Sequence, residues 1–200
     1  MNLEPRLLEG RFVRLEPLEE SHREALGRAL DCDPDTWLIM SGDGRGKAFE
    51  GWWDAATGDP SRIAHAVRRT DDGQIVGTSS YLRVRPDPGI VEIGWTFYRP
   101  DARGGPVNPE CKLLMIGWAF EAGAVRVELM VDARNERSQA AVTRLGALRE
   151  GVMRNHMRTW TGHLRDTVMF SIVQEEWPRV RAGLQDRVAR FATPGPASSG

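Results

Sequence analysis

The sequence predicts an α/β fold: a mixed, mostly antiparallel sheet of seven strands flanked by helices. Three features carry that expectation. Residues 63–69, 75–84 and 90–98 read as strands separated by the turn formers Asp71-Asp72-Gly73 and Pro86-Asp87-Pro88-Gly89, which is antiparallel connectivity. The last of these strands leads into a small-residue loop, an apolar helix ending at Glu121 and a further strand at 125–131, VRVELMV. Such a βαβ unit is parallel and right-handed. Finally, residues 148–158 and 165–173 alternate like a hairpin around Thr161-Gly162.

In chain order, residues 7–18 (LLEGRFVRLEPL) alternate apolar and polar around Phe12, Val13 and Leu15, an opening strand ended by Pro17. Ser21 is placed to cap a helix reaching about Leu30, with Ala25, Leu26, Ala29 and Leu30 facing inward. The run 31–35 (DCDPD) breaks that pattern, and 41–46 (SGDGRG) reads as a flexible loop. A helix over 47–56 sets Phe49, Trp52 and Trp53 at helical spacing, an arrangement expected of core residues. In the stretch 103–121, RGGPVNPECKLLMIGWAFE, Asn108 suits the N-cap and Pro109 the first helical position. Residues 135–145 form a short helix stopped by Gly146, and 175–191 a closing helix carrying Trp177, Val180, Leu184 and Val188. The tail 193–200 (TPGPASSG) reads as disordered, which leaves residues 1–192 as a single domain.

Composition excludes several classes of function. A formal charge of −1 gives no electrostatic footprint for nucleic acid. No apolar run approaches the roughly 20 residues of a membrane span. The two cysteines, Cys32 and Cys111, and the lack of a signal-like leader point to a reducing cytoplasm. His22, His65, His156 and His163 show no metal-ligand spacing, so no metal is expected. What remains is an anion site. A strand, a glycine loop and a helix start in that order converge free N–H groups where the helix dipole is positive. Pro106 removes one donor, leaving Gly104, Gly105, Val107 and Asn108.

Three pieces, EIGW at 92–95, the 103–121 stretch and VELMVDARNERSQAAVTRLGALREGVMR at 127–154, stand in an order that resembles the GNAT superfamily of N-acetyltransferases. The closer likeness is to its RimJ/RimL-like branch, over nearly the whole chain. The resemblance implies a V-shaped opening between strands four and five that holds acetyl-CoA as co-substrate. It also implies direct transfer of acetyl to an amine-bearing acceptor. The pyrophosphate would sit on the loop headed by Arg103, with Gly104, Gly105, Val107 and Asn108 donating; Pro106 and Asn108 depart from the small residues usual there. Trp95 or Thr96 would offer a backbone N–H to the thioester carbonyl. Glu92 is the implied base and Ser138 the acid, with Val142 where relatives carry Tyr and Tyr98 as the other phenol. Asn135 and Arg137 face the cofactor from the same helix as Ser138. Trp37, Trp52, Trp160, His156 and Arg158 border the acceptor side, and Cys111 is a packing residue. A peptide or protein N-terminus is the favoured acceptor; a small amine and a non-catalytic acyl-CoA-binding module are the rival readings. A homodimer stays open.

Overall fold

The computed structural model describes residues 1–192, so the tail expected to be disordered lies outside the described residues. The alternating stretches form β1 (Leu8–Glu9), β2 (Val13–Pro17), β3 (Ile63–Arg69), β4 (Ile75–Arg85), β5 (Ile90–Tyr98), β6 (Arg126–Asp132), β7 (Leu148–Arg158) and β8 (Leu164–Val173). They make one sheet in the order β1-β2-β3-β4-β5-β6-β8-β7. Only β5 and β6 pair in parallel, as a crossover through a helix requires. The sheet has eight strands where seven were expected, because the opening stretch folds back on itself. Gly10 N–H donates to the Val13 carbonyl at 2.9 Å and Leu8 comes to face Leu15. A Cβ at Gly10 would meet the Glu110 carboxylate, which would have to move to make room.

The helices are α1 (Arg23–Asp31), α2 (Pro34–Trp37), α3 (Phe49–Gly58), α4 (Val107–Glu121), α5 (Glu136–Leu145) and α6 (Trp177–Ala192). Two expected caps are corrected. Ser21 does not cap α1: a 3-10 turn over Glu20–His22 leads into it, with the Glu19 N–H bonded to His22 Nδ1 at 3.0 Å. Nor is Asn108 a cap, since α4 starts one residue earlier, behind Pro106 at φ −75°. The proline ring already holds a helical φ, so the helix can begin there, and Pro109 sits in a first turn whose N–H groups have no helical partner. The run 31–35 is not merely a break, because Pro34 starts the short α2.

One core joins α4, α5 and α6 to Val91, Ile93, Val127, Leu129 and Val131; a second joins α1, α3 and Trp37 to Ala64, Ala66, Ile75 and Phe97. Ile93 and Phe97 belong to different cores although an even spacing along a regular strand keeps both on one face. A bulge resolves this. Thr78 pairs with Phe97 while Ser80 pairs with Gly94, so β5 carries one extra residue there, and Trp95 takes φ +48°. The extra residue flips the remainder of the strand to the other face. Phe97 then stacks on Trp37, with ring centroids 5.1 Å apart.

Candidate active site

Pairing between β5 and β6 covers Ile90, Val91 and Glu92 against Arg126, Val127 and Glu128, then stops, although the strands continue to Tyr98 and Asp132. The strands part at Glu92. A cavity of about 420 Å³ occupies the opening, lined by residues from 82–83, 92–98, 103–109, 129–132 and 135–145 and, on the far side, by His156, Met157 and Arg165.

One wall of the cavity is the start of α4. Gly104, at φ +76°, turns the loop into the helix. The N–H groups of Gly104, Gly105, Val107 and Asn108 have no acceptor among the described residues, whereas Glu110 N–H is already paired with the Pro106 carbonyl at 3.0 Å. Val107 offers only its backbone, because its side chain lies in the core. Arg103 does not present a free guanidinium. Its Nε donates to the Tyr98 carbonyl at 2.7 Å and its Nη1 pairs with Asp33 at 2.6 Å, which fixes the loop, while the buried Nη2 has no acceptor among the described residues. Around the same mouth, Arg137, Arg144 and Arg187 have no ion-pair partner among the described residues. Unpaired amides backed by unpaired guanidinium groups are the donor set a diphosphate needs. These residues therefore fit acetyl-CoA.

Asn135 caps α5, its side-chain oxygen accepting from the Ser138 N–H at 3.0 Å. Asn135, Arg137 and Ser138 all line the cavity, as do Trp95 and Thr96 from the bulge. Ser138 stands in the first turn of α5, and its hydroxyl has no partner among the described residues. Glu92 is buried, and Arg83 Nη1 donates to its Oε2 at 2.9 Å. Burial raises its pKa, Arg83 opposes the rise and Glu128 adds to it. A buried carboxylate with a raised pKa beside an open cavity has the character of a general base.

The expectation that tryptophans border the acceptor fails. Trp37 and Trp52 are buried in the second core, so neither borders an acceptor. Trp160 is exposed and spends its Nε1 on the Trp37 carbonyl at 2.8 Å. Cys111 is fully buried and its thiol is pushed up to about 12, consistent with packing. The Tyr98 hydroxyl is likewise raised by burial.

Three residues escaped the sequence reading. Lys112 reaches from α4 to Thr96 Oγ1 at 2.8 Å and Ser79 Oγ at 3.3 Å, and burial lowers its pKa to about 8. Arg83 stands in a second bulge, at φ +48°, and Arg165 comes from β8. Nothing in the local pattern marks them, since each depends on a partner from another element.

Residues 13–148 match the family model of the acetyltransferase (GNAT) domain. Among solved structures, a T. thermophilus protein described as a candidate acetyltransferase is 37% identical, at a TM-score of 0.85, covering 94% of this chain and 99% of that one. A GCN5-related N-acetyltransferase from Brucella melitensis is 31% identical, at a TM-score of 0.86, with coverages of 96% and 89%. Mycobacterium smegmatis RimJ in complex with CoA-disulfide shares the fold at 19% identity and a TM-score of 0.78, covering 91% of this chain and 94% of that one. No curated protein matches the chain.

Proposed function

The chain belongs to the GNAT family of acetyltransferases, and from that premise we propose that it acetylates the N-terminal amine of a peptide or protein. The acetyl group comes from acetyl-CoA by direct attack in a ternary complex. The observation that carries this reading is the parting of β5 from β6 beside a row of unpaired N–H groups. Pantetheine pairs with the freed strand edge while the diphosphate rests on the start of α4. An N–H from Trp95 or Thr96 polarises the thioester carbonyl, and the bulge supplies that N–H by taking it out of the ladder.

The amine must lose a proton to attack, and Glu92 accepts it. As the N–C bond forms and the C–S bond breaks, the Ser138 hydroxyl passes a proton to the departing thiolate and takes one back from solvent. A small polycationic acceptor fits less well, because the acidic side chains on the cavity wall are Glu92 and Asp132, and Asp132 is held by Arg134 through contacts of 3.0 and 2.8 Å. The test is thiol release from acetyl-CoA against a panel of N-terminal peptides and small amines. Glu92→Gln and Ser138→Ala should each lower kcat at least ~10-fold, the usual size of an acid–base contribution. Transfer to small polyamines but to no peptide would overturn the acceptor assignment, and a wild-type rate in either variant removes that residue from the mechanism.

A further inference from the structure

The acceptor side of the cavity holds a guanidinium that the mechanism above does not use. Arg165 is 8% exposed and lines the cavity, yet only its Nε is hydrogen-bonded, to Thr167 Oγ1 at 2.9 Å. Its two terminal nitrogens have no acceptor among the described residues. The carboxylate nearest to it is Asp132, 4.0 Å from Nε, and both Asp132 oxygens are already taken by Arg134. A guanidinium carries five donors in a planar fork. The terminal nitrogens of Arg165 open onto the cavity, where something brought in from outside can supply the missing acceptors.

The strand registers show where that something would lie. Glu92 is paired with Glu128, and Asp132 with Thr167. Alternation along the strands then puts Glu92, Glu128, Met130, Asp132, Thr167 and Arg165 on one face of the sheet. Arg83 faces the same space, holding Glu92 at 2.9 Å and Met130 Sδ at 2.9 Å. His156 is bound through Nδ1 to Thr167 at 3.1 Å. Burial and then the two arginines lower its pKa, so it adds no charge at neutral pH. Glu92 is held by Arg83, Asp132 by Arg134 and Glu128 by Arg85 and Arg126, so Arg165 is the guanidinium at this end of the cavity left without a carboxylate of its own among the described residues, and the excess charge there is positive. A lone ammonium group would be repelled there, whereas an amine that carries its own anion would not.

We infer that the acceptor bears a carboxylate a few bonds from the reacting amine, and that Arg165 binds this carboxylate as a two-pronged anchor beside Glu92. This inference rests on the transferase reading. Planar, bidentate pairing with a carboxylate is what an arginine fork does and an ammonium cannot. The carboxylate can be that of a free α-amino acid or a short peptide, or the side chain of Asp or Glu at the start of a longer chain.

Matched acceptors separate these sources. Acetyl transfer is measured to α-amino acids and to their amides, and to peptides beginning with Asp or Glu and with Asn or Gln. The carboxylate member of at least one matched set should show kcat/KM at least tenfold above its amide. Arg165→Met should bring that ratio close to one, chiefly through KM, and Arg165→Lys should leave an intermediate ratio, having the charge without the fork. A thermal melt confirms that both variants fold. Equal kcat/KM for acid and amide in every set, or a ratio untouched by Arg165→Met, overturns the inference while leaving the transferase reading intact. If no acceptor is acetylated, the transferase reading fails, and calorimetry with N-acetylated acids and their N-acetyl amides decides the anchor separately. Preferential binding of the acids by wild type but not by Arg165→Met keeps it; equal binding sinks it.

Discussion

Lys112 is a buried ammonium group whose hydrogen-bond partners are two hydroxyls, Thr96 and Ser79, themselves 2.8 Å apart. No carboxylate pairs with it among the described residues. Its pKa falls from 10.5 to about 8 because burial disfavours the charged form. The unfolded chain therefore binds the proton more tightly, and at neutral pH the charged lysine opposes folding, by about 3 kcal/mol at 1.36 kcal/mol per pKa unit. A residue that opposes folding so close to the bulge is retained for what it positions. Lys112→Met keeps the length of the side chain and leaves Ser79 and Thr96 bonded to each other. Its melting temperature should equal or exceed wild type, while kcat falls several-fold as Thr96 loses its tether. A lower melting temperature would show that the two hydroxyl bonds outweigh desolvation. In wild type the same linkage makes stability rise with pH between about 8 and 10.5, where the unfolded chain holds the additional proton.

At the scale of elements, the proposed anion cradle depends on how the start of α4 is held. Glu110, one turn in, accepts three N–H groups from the β1–β2 turn: Arg11 at 2.9 Å, Phe12 at 2.6 Å and Val13 at 2.9 Å. Glu110→Ala would orphan three donors at a buried site, at roughly 1–3 kcal/mol for each group left unpaired. Glu110→Gln should cost less, since its amide oxygen can serve Phe12 and Val13 while its nitrogen faces Arg11. Denaturant unfolding should rank stability as wild type above Gln above Ala, and CoA calorimetry should show the same order, because a loosened helix start blurs the cradle. Alanine and wild-type proteins with equal CoA affinity would separate the tether from the site. These elements also show what local sequence conveys. The βαβ unit and the closing hairpin were legible because periodicity and turn residues are local signals. Gly104 to Asn108 were legible for the same reason. The β1–β2 reversal was not, since it depends on Gly10 meeting a carboxylate a hundred residues away. Neither was the bulge at Arg83, because a register shift becomes visible only against the partner strand. Arg165 and Lys112 gain their meaning from elements that join them at the cavity only after folding.

Across the whole molecule, pH acts on stability through groups spread over the sheet, and their directions can be assigned. His65, on β3, is fully buried, with Nε2 at 3.2 Å from the Arg6 carbonyl, Nδ1 without a partner among the described residues and Tyr81 edge-on at 5.8 Å. Burial lowers its pKa from 6.5 to about 4. Between those values the unfolded chain binds a proton that the folded chain refuses, so stability present above pH 6.5 is lost as pH falls towards 4. The drop corresponds to about 3 kcal/mol at 1.36 kcal/mol per unit. A second window lies lower. Glu150, held by Arg126 and Ser171, titrates at about 2, and Glu16 is lowered mainly by Arg68, so their contribution is present above about 4.5 and fades as pH drops further. Glu92 works in the opposite sense: its raised pKa makes the folded state bind more protons just above 4.5, which slightly offsets the loss from His65. On the proposed mechanism activity also falls on acidification, because the same carboxylate must be ionised to take a proton, so stability has to be followed by unfolding rather than by turnover. Urea titrations at pH 7, 6, 5 and 4 should show the midpoint declining over that interval. His65→Gln retains an amide to meet the Arg6 carbonyl but cannot charge, and should flatten the upper window while leaving the lower one. A wild-type midpoint constant from pH 7 to 5, or an identical slope in the variant, would place acid sensitivity in the carboxylate pairs instead of the buried imidazole.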